Sequence, residues 1–178
     1  MNGVVFVGDG QKRSASAALP YDSDGGALHV TQTARIVIRD TEFRNLKGRY
    51  GGAVYIEQDR LTTSALTLEK SYKTIRPYWF ENVKFENCEA EFDGGAIYAL
   101  NPLRMTVRFA TFFQNSAGRE GGAIQYYCEP TRRDLIIDPK TPCDFVFDDV
   151  QFTENSAAVG GAIRWNFMEM EVGQEDMN

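Results

Sequence analysis

Five copies of one tetrapeptide, Gly-Gly-Ala followed by an aliphatic residue, constrain this chain more than any other feature. The sequence reads GGAL at 25–28, GGAV at 51–54, and GGAI at 94–97, 121–124 and 160–163. The glycine pairs begin at 25, 51, 94, 121 and 160, giving intervals of 26, 43, 27 and 39. Two intervals differ by a single residue; the other two are near that length with about 17 and 13 residues inserted. A recurring period of this size marks a chain built from stacked supersecondary units.

The match continues upstream of four of the pairs. Phe43, Phe85, Phe112 and Phe152 stand 8, 9, 9 and 8 residues before the first glycine. Two residues before each Phe sits Thr41, Val83, Ala110 or Val150, and three before that Ile38, Phe80, Val107 or Phe147. Three after each Phe comes Leu46, Cys88, Asn115 or Asn155, with Asn45 and Asn87 read as the same amide slipped by one place. Five after it is a small residue, Gly48, Ala90, Ala117 or Ala157.

Each column has a physical reason. The pairs Gly51-Gly52, Gly94-Gly95, Gly121-Gly122 and Gly160-Gly161 allow the positive φ of a sharp corner. The alanine that follows is small enough for a tight interior corner. Beyond it, aliphatic positions (Leu28, Val54, Ile97, Ile124, Ile163) alternate with a wetter column of His29, Tyr55, Tyr98, Gln125 and Arg164. Such alternation is a short strand with one buried face. ARIVIRD, RMTVRFATF and CDFVFDDVQF read as strands of the same sort, and LTTSALTLEKSYK is the best helical candidate. Short strands, corners and a period near 26 predict a right-handed parallel β-helix of about five coils, an all-β solenoid. Coils stacked at about 4.8 Å put Phe on Phe and Asn on Asn. An inner Asn column can then bond amide to amide between coils and serve the backbone groups of the corner. Cys88 falls in that column and is expected to be a buried thiol.

Phe-x-x-Asn followed by Gly-Gly-Ala-Ile resembles the paired signature of the chlamydial polymorphic outer-membrane proteins and of large surface repeat proteins in other bacteria and ciliates. FFQNSAGREGGAI and FTENSAAVGGAI match both halves; FENCEAEFDGGAI and FRNLKGRYGGAV match the Phe and the glycines with the Asn displaced; DSDGGAL matches only the glycine half. The resemblance covers about residues 34–166. It implies a pectin-lyase-like coil architecture and a surface or adhesion role, although fold alone does not assign function.

A single domain over 1–178 is expected, with a degenerate N-terminal coil or cap at 1–33, coils at 34–166, insertions at 58–78 and 127–144, and a C-terminal tail or cap at 167–178; the whole is compatible with a fragment of a longer chain. The N-terminal VVFV is apolar and strand-like but lacks the Phe and Asn columns, hence the degenerate-cap reading. A net charge of −6 argues against a nucleic-acid binder. No apolar run long enough to span a bilayer occurs, so no direct membrane insertion is expected. MNGVVFVGDGQKR lacks the basic and apolar regions of a secretory leader. No N-glycosylation sequon is present.

Chemistry is thinly represented. His29 is the one histidine of the chain. The outer column holds no carboxylate, unlike the groove of a polysaccharide lyase. Asp144, Asp148 and Asp149 read as surface or bend acids, with Asp148 and Asp149 on opposite strand faces or at a bend; Asp22 and Asp24 read as turn residues. No catalytic residue, cofactor or metal ligand is assigned. Partner contacts are expected where the repeat breaks: at Arg132, Arg133, Leu135, Ile136 and Ile137 in the second insertion, and at the Tyr55–Tyr98 column, whose alternative role is a ladder that only stabilises the sheet. Cys128 and Cys143 bracket the second insertion, either as a disulfide, favoured only in an oxidising compartment, or as two neighbouring free thiols. The expected function is a non-catalytic structural or adhesion module, extracellular or at the cell surface. It would bind a protein or glycan partner through its loops or coil ends, with self-association another route. A pectate-lyase-like enzyme and a structural subunit of an intracellular assembly are the alternatives.

Overall fold

The computed structural model describes residues 3–8, 24–31, 36–57, 78–102, 104–128 and 144–167. Every regular element among them is a strand: β1 (Val5–Val7), β2 (Leu28–Thr31), β3 (Val37–Arg44), β4 (Lys47–Gly48), β5 (Val54–Glu57), β6 (Tyr78–Glu86), β7 (Glu89–Ala90), β8 (Ile97–Leu100), β9 (Arg104–Phe113), β10 (Ser116–Ala117), β11 (Ile124–Cys128), β12 (Asp144–Thr153) and β13 (Ile163–Phe167). They form three sheets, ordered β1-β3-β6-β9-β12, β4-β7-β10 and β2-β5-β8-β11-β13. The pairing in all three is parallel. Each repeat supplies one strand to both five-stranded sheets, and the three middle repeats also supply one each to the three-stranded sheet, so that like strands lie side by side, an arrangement consistent with a β-helix.

The register places each residue on its counterpart one repeat away. Phe43 pairs with Phe85 and Phe85 with Phe112, and Phe112 with Phe152. Their rings stack face to face, with centroids 4.7, 4.9 and 4.9 Å apart. Val54, Ile97 and Ile124 form a second, fully buried column. Stacked aromatics of this kind add about 0.5–1.5 kcal/mol per pair beyond their area burial.

The N-terminal strand corrects one expectation. Phe6 pairs with Phe43 and stacks on it at 5.0 Å, so VVFV does carry the Phe column. The sequence obscured this because Phe6 lies much farther from Gly25 than its equivalents do from theirs.

The glycine pair has two distinct roles. Only the first member takes positive φ, as at Gly121 (64°). The second is required by close approach: a Cβ on Gly122 would overlap the carbonyl oxygen of Gly161 and lie 2.6 Å from the backbone N and O of Ser156. The neighbouring repeat leaves no room for a side chain.

The Asn columns also separate. Asn45, Asn87, Gln114 and Glu154, two residues after each Phe, all have positive φ of 52–55°. Asn45 and Asn87 are therefore not slipped members of the inner amide column. They occupy a left-handed corner of their own, where Asn is favoured because its short polar side chain tolerates αL. The Asn87 amide donates to Asn45 Oδ1 at 2.7 Å, and Gln114 donates to Glu154 at the same distance. A second left-handed column, Asp40, Asn82, Phe109 and Asp149, bends the long strands β3, β6, β9 and β12. Asp149 thus sits at the bend, and Asp148 precedes it on an outer face paired with Arg108 at 2.7 Å.

The insertions break the pattern less widely than expected. Tyr78 already belongs to β6, Tyr127 and Cys128 to β11, and Asp144 to β12. Residues 58–77, which include the helical candidate, and 129–143 lie outside the described residues, as do Asp22 and 168–178.

Candidate functional site

The inner amide column is the best-defined polar feature. Asn115 is fully buried. Its Nδ2 donates to the Phe85 carbonyl (3.2 Å) and to Asn155 Oδ1 (2.9 Å), while its Oδ1 accepts from the Cys88 backbone N–H (3.0 Å). Asn155 repeats the pattern one repeat on, donating to Phe112 O at 2.9 Å and accepting from the Asn115 N–H at 3.0 Å. These amides satisfy corner backbone groups that would otherwise be buried unpaired. The Cys88 thiol lies below them, free and fully buried. Burial pushes its pKa up to about 12, so it is an inert neutral thiol. All of this is architecture rather than chemistry on a substrate.

The outer column of β2, β5, β8, β11 and β13 is different. His29 meets Tyr55 edge-on at 4.6 Å, and Tyr55 stacks on Tyr98 at 5.5 Å with the rings 5° from parallel. Tyr55 is only 8% exposed, and its hydroxyl donates to Glu57 at 3.0 Å. Within the column Tyr55 is held as a ladder rung. Tyr98 is half-buried, and burial together with the nearby Asp93 charge pushes its hydroxyl up to about 12. At the next position the aromatic column stops, because Gln125 pairs with Tyr98.

A cavity of about 310 Å³ opens at that break, lined by Asp93, Tyr98, Arg119, Glu120, Gln125, Tyr127 and Asn166. Arg119 closes on Asp93 with Nη2 at 2.6 Å and Nε at 3.2 Å, and its guanidinium lies 4.7 Å from the Phe92 ring centre. Glu120 donates its backbone N–H to Asp93 Oδ1 at 3.2 Å, and its carboxylate accepts from Asn166 Nδ2 at 3.2 Å. The alternation along the strand predicts a wet outer residue at Gln125. It is instead 2% exposed, and its Oε1 has no hydrogen-bond partner. Reasoning from sequence missed this site because its residues come from three different repeats. The one signal was the interruption of an aromatic column by an amide.

Arg132, Arg133, Leu135, Ile136 and Ile137, the other expected partner contacts, lie outside the described residues. Cys128 is disulfide-bonded, while Cys143, its expected partner, also lies outside them. On the outer face of the long strands, Arg39, Glu81, Arg108 and Asp148 follow one another in register with alternating charge. Arg39–Glu81 closes at 2.7 Å, an exposed pair that contributes little to stability.

Residues 110–126, spanning β9 to β11, match the Chlamydia polymorphic membrane protein repeat. No curated protein matches the chain. No solved structure matches it either.

Proposed function

We propose that this chain is a non-catalytic β-helix module of a cell-surface protein, wound right-handed into about five coils, that serves adhesion or interaction. The observation that carries the reading is the match of residues 110–126 to a repeat of surface-associated membrane proteins. The structure extends that repeat's Phe, glycine and aliphatic columns in both directions. Right-handed winding follows from the strong preference of parallel crossover connections for that hand. The bonded state of Cys128 fits an oxidising compartment and favours this reading over an intracellular assembly. The side chains that recur are spent on stacking, which leaves the insertions, residues 58–77 and 129–143, and the outer column to recognise a protein or glycan. Arg132, Arg133 and the Leu135–Ile137 run are the loop contacts we assign. The test is adherence of chain-coated beads to cultured epithelial cells, with albumin-coated beads as reference. Adherence severalfold above the reference is expected. Adherence equal to the reference, or release of unsaturated uronides from polygalacturonate by the soluble chain, would contradict the reading.

A further inference from the structure

We infer that the cavity at the break in the tyrosine column binds a neutral saccharide unit through Gln125. Four observations lead there. The cavity, about 310 Å³, is at the small end of ligand pockets and suits one sugar ring. Its most buried polar wall is the Gln125 carboxamide, whose Oε1 lacks a donor although the residue is 2% exposed. A buried acceptor without a partner destabilises the folded chain; Oε1 itself has almost no accessible surface, so a ligand hydroxyl reaches it as the side chain turns towards the cavity, and the new bond removes that cost. The charges of the wall are already paired within the protein: Asp93 with Arg119 at 2.6 Å, and Glu120 with Arg164 at 3.6 Å, the Glu120 carboxylate also accepting from the Asn166 amide at 3.2 Å. A fully charged ligand would have to break these pairs, whereas hydroxyls can bond to their remaining lone pairs. Finally, Tyr98 and Tyr127 line the cavity, and tyrosine joins a hydroxyl to apolar ring surface, the combination that a pyranose needs for its polar edge and its C–H face.

The inference deepens the interaction-module reading by naming a ligand class. It is tested by glycoside binding rather than by adherence, so its failure leaves the cell-adherence result standing. The experiment is saturation-transfer difference NMR on the full chain with the methyl glycosides of glucose, galactose and N-acetylglucosamine, each titrated to about 50 mM, with N-acetylarginine amide in parallel. Saturable binding of at least one glycoside is expected, with a dissociation constant of about 1–10 mM. Gln125→Leu, which keeps the volume and removes the acceptor, should weaken it about tenfold without lowering the melting temperature. Should that variant not fold, Tyr127→Phe provides the second reading, with binding weakened about threefold. No saturable signal from any glycoside, unchanged binding by the variants, or preference for the arginine amide would overturn the assignment.

Discussion

At the scale of single residues, Asn115 shows how much of the fold rests on one side chain. It joins Cys88, Phe85 and Asn155 through three hydrogen bonds in a fully buried position. Asn115→Ala would leave the Cys88 N–H and the Phe85 carbonyl unpaired, so denaturant unfolding should show a loss of about 3 kcal/mol. Asn87→Gly, at the exposed left-handed corner, should change stability by less than about 1 kcal/mol. Cys88 adds a pH dependence. Its folded pKa of about 12 stands above the ordinary thiol value of 9.0. The unfolded thiol therefore ionises first, and the contribution is complete below about pH 9 and is lost as pH rises from there towards 12. Unfolding measured across that window should show this loss in the native protein and a smaller one in Cys88→Ala.

At the scale of elements, the corner is where like repeats meet. Gly122 and Gly161 are equivalent in sequence but not in surroundings. A Cβ on Gly122 would overlap the Gly161 carbonyl, whereas a Cβ on Gly161 would meet only Asn155 O, at 3.5 Å. Gly122→Ala should therefore cost more than about 3 kcal/mol, and Gly161→Ala less than about 1 kcal/mol. Equal costs, measured by thermal or denaturant unfolding, would mean that close approach of the next repeat does not explain the glycine at this position. The contrast also marks what was legible beforehand. The Phe and aliphatic columns could be read because a parallel register repeats each residue at a fixed offset. Of the two left-handed columns, the one holding Asn45 and Asn87 could not be separated from the inner amides, because Asn suits both an αL corner and a buried ladder. Phe109 concealed the second of them by occupying, at 49% exposure, a position held elsewhere by Asp or Asn. Phe6 was lost because its spacing to Gly25 departs from the rest.

At the scale of the whole molecule, the repeat accounts for the interior and leaves recognition to where it breaks. The cavity around Gln125 was illegible because Asp93, Arg119 and Asn166 converge only once three repeats are stacked. The compartment can be tested on the three cysteines: without reductant, unfolded chain should show one reactive thiol, that of Cys88, and after reduction three. Three thiols without reduction would remove the support that Cys128 lends to a surface location. The central claim, that each repeat lies in parallel register on the next, is tested most directly by aromatic NOE spectroscopy on phenylalanine-labelled chain. Ring-to-ring contacts are expected to run Phe6–Phe43–Phe85–Phe112–Phe152 in that order, with none between Phe43 and Phe112. Direct Phe43–Phe112 contacts, or the absence of the Phe85–Phe112 contact, would contradict it.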